Sequence, residues 1–132
     1  MKIVIVGAGD VGRFLCKVLS EDGHAVTLVE SDDEAASDVE ENLDVRVVRG
    51  NGASAKCLTT AGAQTCEYFL AMTDHDQLNL AACAIAAKLG ARKTVARVHD
   101  LVYVPHRQRL CGNQILALPR SVHQKIFYYH NR

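Results

Sequence analysis

Gly7-Ala8-Gly9-Asp10-Val11-Gly12 is a G-x-G-x-x-G run, and an acid, Glu30, lies about twenty residues further on. Glycine at the first position permits a tight turn. At the second it lets a pyrophosphate approach the backbone, and at the third it lets a helix pack closely. A helix N-terminus offers free N–H groups and partial positive charge to a phosphate. A carboxylate at the Glu30 position can accept from a ribose diol. It would repel a 2′-phosphate, so NAD is favoured over NADP.

Further candidates lie downstream. Gly50-Asn51-Gly52 is a turn signal where Asn51 could meet a base and the glycines would allow close approach; a plain turn is the alternative. Thr73-Asp74-His75-Asp76 follows an apolar run. Of the six histidines (His24, His75, His99, His106, His123 and His130) only His75 is expected near the ligand. The cysteines, Cys16, Cys57, Cys66, Cys83 and Cys111, are odd in number and contain no C-x-x-C. They read as reduced, mostly buried thiols of a cytosolic protein, with no metal site.

These residues need elements to position them. Apolar runs at Ile3–Val6, Ala25–Val29, Val45–Val48, Tyr68–Met72, Thr94–Val98 and Gln114–Leu118 read as six strands. Helical stretches intervene. The first has Val11, Leu15, Val18 and Leu19 on one face and stops at Gly23. A second is N-capped by Ser31, with Asp32, Asp33 and Glu34 in its first turn. A third spans Ala53–Ala61 before Gly62, and a fourth Gln77–Leu89, capped by Asp76 or Thr73, before Gly90. A short helix with Pro105 as a break is expected over 100–110, and a last helix from Ser121 to the terminus, bearing Phe127-Tyr128-Tyr129. Six β-α units demand a doubly wound, Rossmann-type α/β fold. Its six-stranded parallel sheet has the expected order 3-2-1-4-5-6.

Composition fits one domain of 132 residues, with 48% hydrophobic and 23% charged residues. No apolar run reaches the ~20 residues that span a bilayer. The first strand follows Met1 directly, so no signal peptide is expected. Charge is uneven: residues 1–66 hold eleven acids and six Lys/Arg, residues 67–132 four acids and nine Lys/Arg. The two halves thus stand at −5 and +5, which is either chance on solvated faces or a basic half meeting an acidic partner. No Lys/Arg run interleaves with aromatics, so nucleic acid is not the expected partner.

Along its whole length the chain resembles the RCK N-terminal domains (KTN, TrkA-N) of potassium-transport regulators. The resemblance rests on KIVIVGAGDVG, GHAVTLVE, VVRGNG, FLAMTDHDQLN, TVARV and ILALPRSV, in that order. It implies a non-enzymatic cytoplasmic sensor that binds NAD(H), or ATP and ADP in relatives. Such a sensor passes occupancy to a membrane potassium channel or transporter, without inserting into the membrane itself. It implies that Gly7, Ala8, Gly9, Asp10, Val11 and Gly12 hold the pyrophosphate, with Glu30 and neighbouring Ser31 at the ribose. Asn51 and Gly52 would flank the adenine. Thr73 and Asp74 would line the second half of the ligand, and Arg97 would reach a phosphate or an inter-domain contact. It also implies a homodimer or higher homo-oligomer, for which Ile126, Phe127 and Tyr128 fit an interface. The sequence departs from the family in Asn51, where Asp is common, and in the acid Asp10 within the glycine loop. A single domain over 1–132 is expected, without the second, regulatory domain that often follows. The competing functions are a cofactor domain of an NAD-dependent oxidoreductase, with His75 as its acid/base candidate, and an assembly domain that has lost its ligand.

Overall fold

A computed structural model describes residues 1–100, 114–117 and 127–130. The strands are β1 (Lys2–Val6), β2 (Ala25–Glu30), β3 (Arg46–Arg49), β4 (Tyr68–Ala71), β5 (Lys93–Val98), β6 (Gln114–Ala117) and β7 (Phe127–His130). The helices are α1 (Asp10–Glu21), α2 (Asp33–Asn42), α3 (Ala55–Ala61) and α4 (Asp76–Leu89). The sheet order is β3-β2-β1-β4-β5-β6-β7. Every pairing is parallel except β6 with β7. The six strands expected from sequence thus stand in the expected order, and a seventh closes the far edge.

Successive residues of β1 face opposite ways, as a pleated strand requires. Ile3 and Ile5 join Val26, Leu28 and Val39 on the side where Val11, Leu15 and Leu19 of α1 pack. Val4 and Val6 join Val29, Leu58, Phe69, Leu80 and Cys83 on the other side, under α3 and α4. Burial on both faces explains why the strands read as unbroken apolar runs. The chain leaves β1 for β2 on one side, and β4 takes the other, so the carboxyl ends of β1 and β4 flank a crevice.

Three local expectations are corrected. Ser31 does not cap α2; Asp32 does, its Oδ2 accepting from the Ala35 amide at 2.9 Å, because the helix begins at Asp33 and leaves Asp32, with extended backbone, in the cap position. Neither Thr73 nor Asp76 caps α4. His75 occupies that position without a side-chain cap bond. Phe127-Tyr128-Tyr129 belongs to a strand antiparallel to β6 and not to a helix, in keeping with the β-preference of aromatic residues. The helix expected over 100–110, Ser121 and Ile126 lie outside the described residues, apart from Asp100, which follows β5.

Candidate functional site

The carboxyl ends of β1, β2, β3, β4 and β5 meet at one rim. Gly7 leaves β1 with φ 98°, a left-handed conformation natural to glycine. A β-carbon there would also lie 2.8 Å from Thr73 Cγ2, so the start of the loop packs directly on the residues after β4. Gly12 sits against that same turn: its β-carbon would fall 1.7 Å from the Gly7 carbonyl oxygen. Close helix packing at the third glycine is therefore made on the loop itself. Gly9 differs. A β-carbon there would meet nothing within 4 Å, and its φ of −71° suits any residue. Nothing in the described chain requires glycine at position 9. It leaves open space above the start of α1, and no side chain caps the helix there. The first-turn amides have no partner within their own helix and favour an anion.

Glu30 ends β2 with both carboxylate oxygens engaged. Oε1 accepts from the Ala8 amide at 2.7 Å, and Oε2 accepts from the Ser31 and Asp32 amides at 2.7 and 3.2 Å. One side chain thus fixes the glycine loop relative to the entry of α2. Each carboxylate oxygen has further lone-pair capacity, so acceptance from a diol remains available. Asp10 is exposed in the first turn of α1, where a carboxylate suits the helix dipole. Val11 packs into the sheet-facing core, leaving its backbone to serve the loop.

Gly50-Asn51-Gly52 lies beside this group, since the Gly50 amide donates to the Glu30 carbonyl at 3.0 Å. Its glycines are required by packing. Their β-carbons would lie 2.4 Å from Cys57 Sγ and 2.2 Å from Val6 Cγ1. The Asn51 side chain closes its own turn, Oδ1 accepting from the Ala53 amide at 2.8 Å, which leaves the side-chain NH2 as its outward donor.

At the β4 end, the Thr73 hydroxyl donates to Asn79 Oδ1 at 2.6 Å and accepts from the His75 amide at 3.2 Å. Arg97 Nη1 donates to Asp74 Oδ1 at 3.2 Å and to the Met72 carbonyl at 3.4 Å. Its Nε is buried and finds no acceptor among the described residues. The sequence offered Asp76 as a helix cap and Asn79 as the last residue of the FLAMTDHDQLN run, and did not show the contacts that either makes here. Asn79 is fully buried in α4. The signal was available: it is a polar residue in register with Ala82, Cys83 and Ala86 on the apolar face of an alanine-rich helix. No helix among the described residues is long and apolar enough to cross a membrane.

The chain matches a known family model, the TrkA-N domain, over residues 3–116. The chain belongs to the TrkA-N domain family. Among its relatives, the Trk system potassium uptake protein TrkA of Haemophilus influenzae is 34% identical over 123 residues, 92% of this chain and 27% of that protein. A TrkA homolog of Archaeoglobus fulgidus is 37% identical, over 91% of this chain and 28% of its own length. The chain thus spans about a quarter of these relatives. The TrkA-N domain of the Escherichia coli inner membrane protein ybaL superposes with a TM-score of 0.80 at 20% identity, covering 91% of this chain and 87% of that one. The GsuK channel bound to NAD superposes with a TM-score of 0.77 at 23% identity, over 86% of this chain and 21% of that chain. These two share the fold with this TrkA-N domain.

Proposed function

We propose that this TrkA-N domain binds an adenine dinucleotide, NAD(H), as a regulatory ligand, and that its occupancy controls a membrane potassium channel or transporter. The observation that carries the reading is the pairing of open space at Gly9, over an uncapped helix N-terminus, with a carboxylate held at the end of β2. The first suits a pyrophosphate and the second a ribose diol. Potassium transport enters through the TrkA relatives, and NAD through the GsuK structure that holds it.

ADP-bound GsuK and an AMP-bound Kef C-terminal domain share the fold too, so the same rim is the natural seat for ADP or ATP in a variant of this reading. In either form the ligand is sensed and not turned over. His75 serves as the N-cap of α4, exposed, and hydride transfer needs an acid/base group held against the nicotinamide. The domain would act at the cytoplasmic face as a homodimer or larger assembly. A signal then requires two arrangements that bind the ligand unequally.

The test is calorimetric titration of NAD+, NADH, NADP+, ATP and ADP, after mass spectrometry of any nucleotide carried through purification. NAD(H) should bind, NADP+ should bind more weakly, and Glu30→Arg should weaken NAD(H) by about tenfold or more, ~1.4 kcal/mol. Unchanged affinity in Glu30→Arg would remove Glu30 from the ribose. Preference for ATP or ADP would keep the site and change the signal. Steady NADH oxidation with a carbonyl substrate, abolished in His75→Ala, would replace the regulator with an oxidoreductase.

A further inference from the structure

Asn79 spends its whole hydrogen-bonding capacity on two other segments. Its Oδ1 accepts from the Thr73 amide at 3.0 Å and from the Thr73 hydroxyl at 2.6 Å. Its side-chain NH2 donates to the Thr73 carbonyl at 2.9 Å and to the Arg97 carbonyl at 2.7 Å. The side chain is fully buried, so any bond it lost would leave an unsatisfied polar group in the interior. One turn earlier on α4, Asp76 grips the chain just past β5. Its Oδ1 accepts from the His99 amide at 2.9 Å and lies 3.1 Å from His99 Nδ1, while Oδ2 accepts from the Asp100 amide at 2.8 Å. The Asp76 carboxylate is only 11% exposed. One helical turn therefore fastens the loop after β4 to Arg97, His99 and Asp100, at the end of β5 and just beyond it.

Thr73 is also the residue that fills the space beside Gly7. The contacts run without a gap from the glycine loop, through Thr73 and Asn79, to Arg97, and through the start of α4 to His99 and Asp100. We propose that Asn79 and Asp76 are positioning residues which lock the nucleotide rim to the chain leaving β5, so that loss of one requires loss of the other. Neither needs to touch the ligand. The Asp74–Arg97 pair joins the same two segments from outside, but Asp74 is 78% exposed and an exposed pair of this kind holds weakly. The buried amide and the carboxylate that accepts two backbone N–H groups make the stronger tie.

This inference rests on the nucleotide reading and deepens it: it names where occupancy would be felt. Local openings that destroy a site are suppressed by its ligand, whereas openings that leave the site intact are not. If the clamp is real, saturating nucleotide slows amide exchange at His99 and Asp100 by nearly the linkage factor, ~100-fold at 100 times Kd. An uncoupled strand end keeps its rate.

The experiment is hydrogen exchange with NAD+ or ADP, whichever calorimetry shows to bind, on wild type and on Asp76→Ala, each at 100 times its own Kd so that altered affinity drops out. Asn79→Ala would leave several buried groups unpaired and endanger the fold, so Asp76 carries the test. The amides of Val4 and Leu28, in the core of the sheet, report global unfolding. The expected result is strong slowing at His99 and Asp100 in wild type and a ratio near one in Asp76→Ala, with Val4 and Leu28 responding alike in both proteins. Nucleotide heat without slowing at His99 and Asp100 in wild type overturns the clamp and leaves the nucleotide reading standing. Equal slowing in Asp76→Ala also overturns it. No heat with any nucleotide overturns the reading and the clamp together.

Discussion

A β-carbon at Gly9 would meet no protein atom within 4 Å, whereas one at Gly12 would lie 1.7 Å from the Gly7 carbonyl oxygen. Two glycines of one motif therefore answer to different constraints, and substitution separates them. Gly9→Val should fold, because φ −71° and ψ −168° suit a β-branched residue. A poor N-cap residue costs up to ~1 kcal/mol, so Tm should fall by no more than about 5 °C. Nucleotide affinity should fall by about tenfold or more, ~1.4 kcal/mol, because the side chain occupies the space expected to take phosphate. Gly12→Ala should instead lose the cooperative melting transition, since its methyl group meets backbone that cannot yield. Calorimetry and thermal denaturation on the two variants check both statements. Tight binding by Gly9→Val would move the ligand away from the glycine loop. The same reasoning applies to Gly50 and Gly52, whose missing side chains make room for Cys57 and Val6.

Local chemistry set most element ends. Gly23 and Gly62 adopt φ 89° and 85° just past α1 and at the end of α3, and the His24 amide closes the α1 terminus on the Leu19 carbonyl. Those stops were legible because they depend on one residue and its immediate neighbours. The start of α2 was misread by one position. Ser31 and Asp32 are both good caps by type, and the choice between them is made by where the helix begins: α2 starts at Asp33, which puts the extended Asp32 in the cap position. Asp32→Ala should therefore cost about 1 kcal/mol in urea unfolding, and Ser31→Ala much less. Equal losses would mean that the cap does not hold α2. Asp76 and Asn79 both stand in the FLAMTDHDQLN run that carries the resemblance, but their partners were not legible there. A sequence shows an acid at a helix start and an amide on an apolar face, but not the strand end that folds back to meet them. The glycine loop and Glu30 were readable because they lie within one β-α-β unit, and the strand order because repeated β-α units demand a doubly wound parallel sheet. The tie between α4 and β5 joins residues that only the assembled sheet brings together.

At the scale of the whole molecule, strands β1, β2 and β4 are covered on both faces, and the two layers bury thiols as ordinary apolar groups. Cys16 and Cys66 are buried free cysteines. Burial disfavours the thiolate, pushing Cys16 from 9.0 up to about 12 and Cys66 up to about 11. The nearby Arg13 and Lys2 guanidinium and ammonium groups pull the other way and do not win. Well below pH 9 both thiols are protonated whether the chain is folded or not, and they contribute no pH dependence. Above pH 9 the unfolded chain releases protons that the folded chain keeps, so stability falls as pH rises, until the folded thiols ionise in turn. For Cys16, which is fully inaccessible, the slope approaches ~1.4 kcal/mol per pH unit. The Arg13–Asp38 bridge acts at the opposite end of the scale. Asp38 is held below its ordinary value chiefly by the hydrogen bond from Arg13, so its contribution is present near neutrality and lost in acid, but it is exposed and its weight is small. Urea unfolding at pH 8, 9, 10 and 10.5 should show a plateau and then a decline. Cys16→Ala should begin less stable at pH 8, because it leaves a small cavity, and decline less steeply above pH 9. Parallel curves for the two proteins would show that the Cys16 thiol ionises as readily in the folded chain as in the unfolded one, and that the layer between α1 and the sheet admits water.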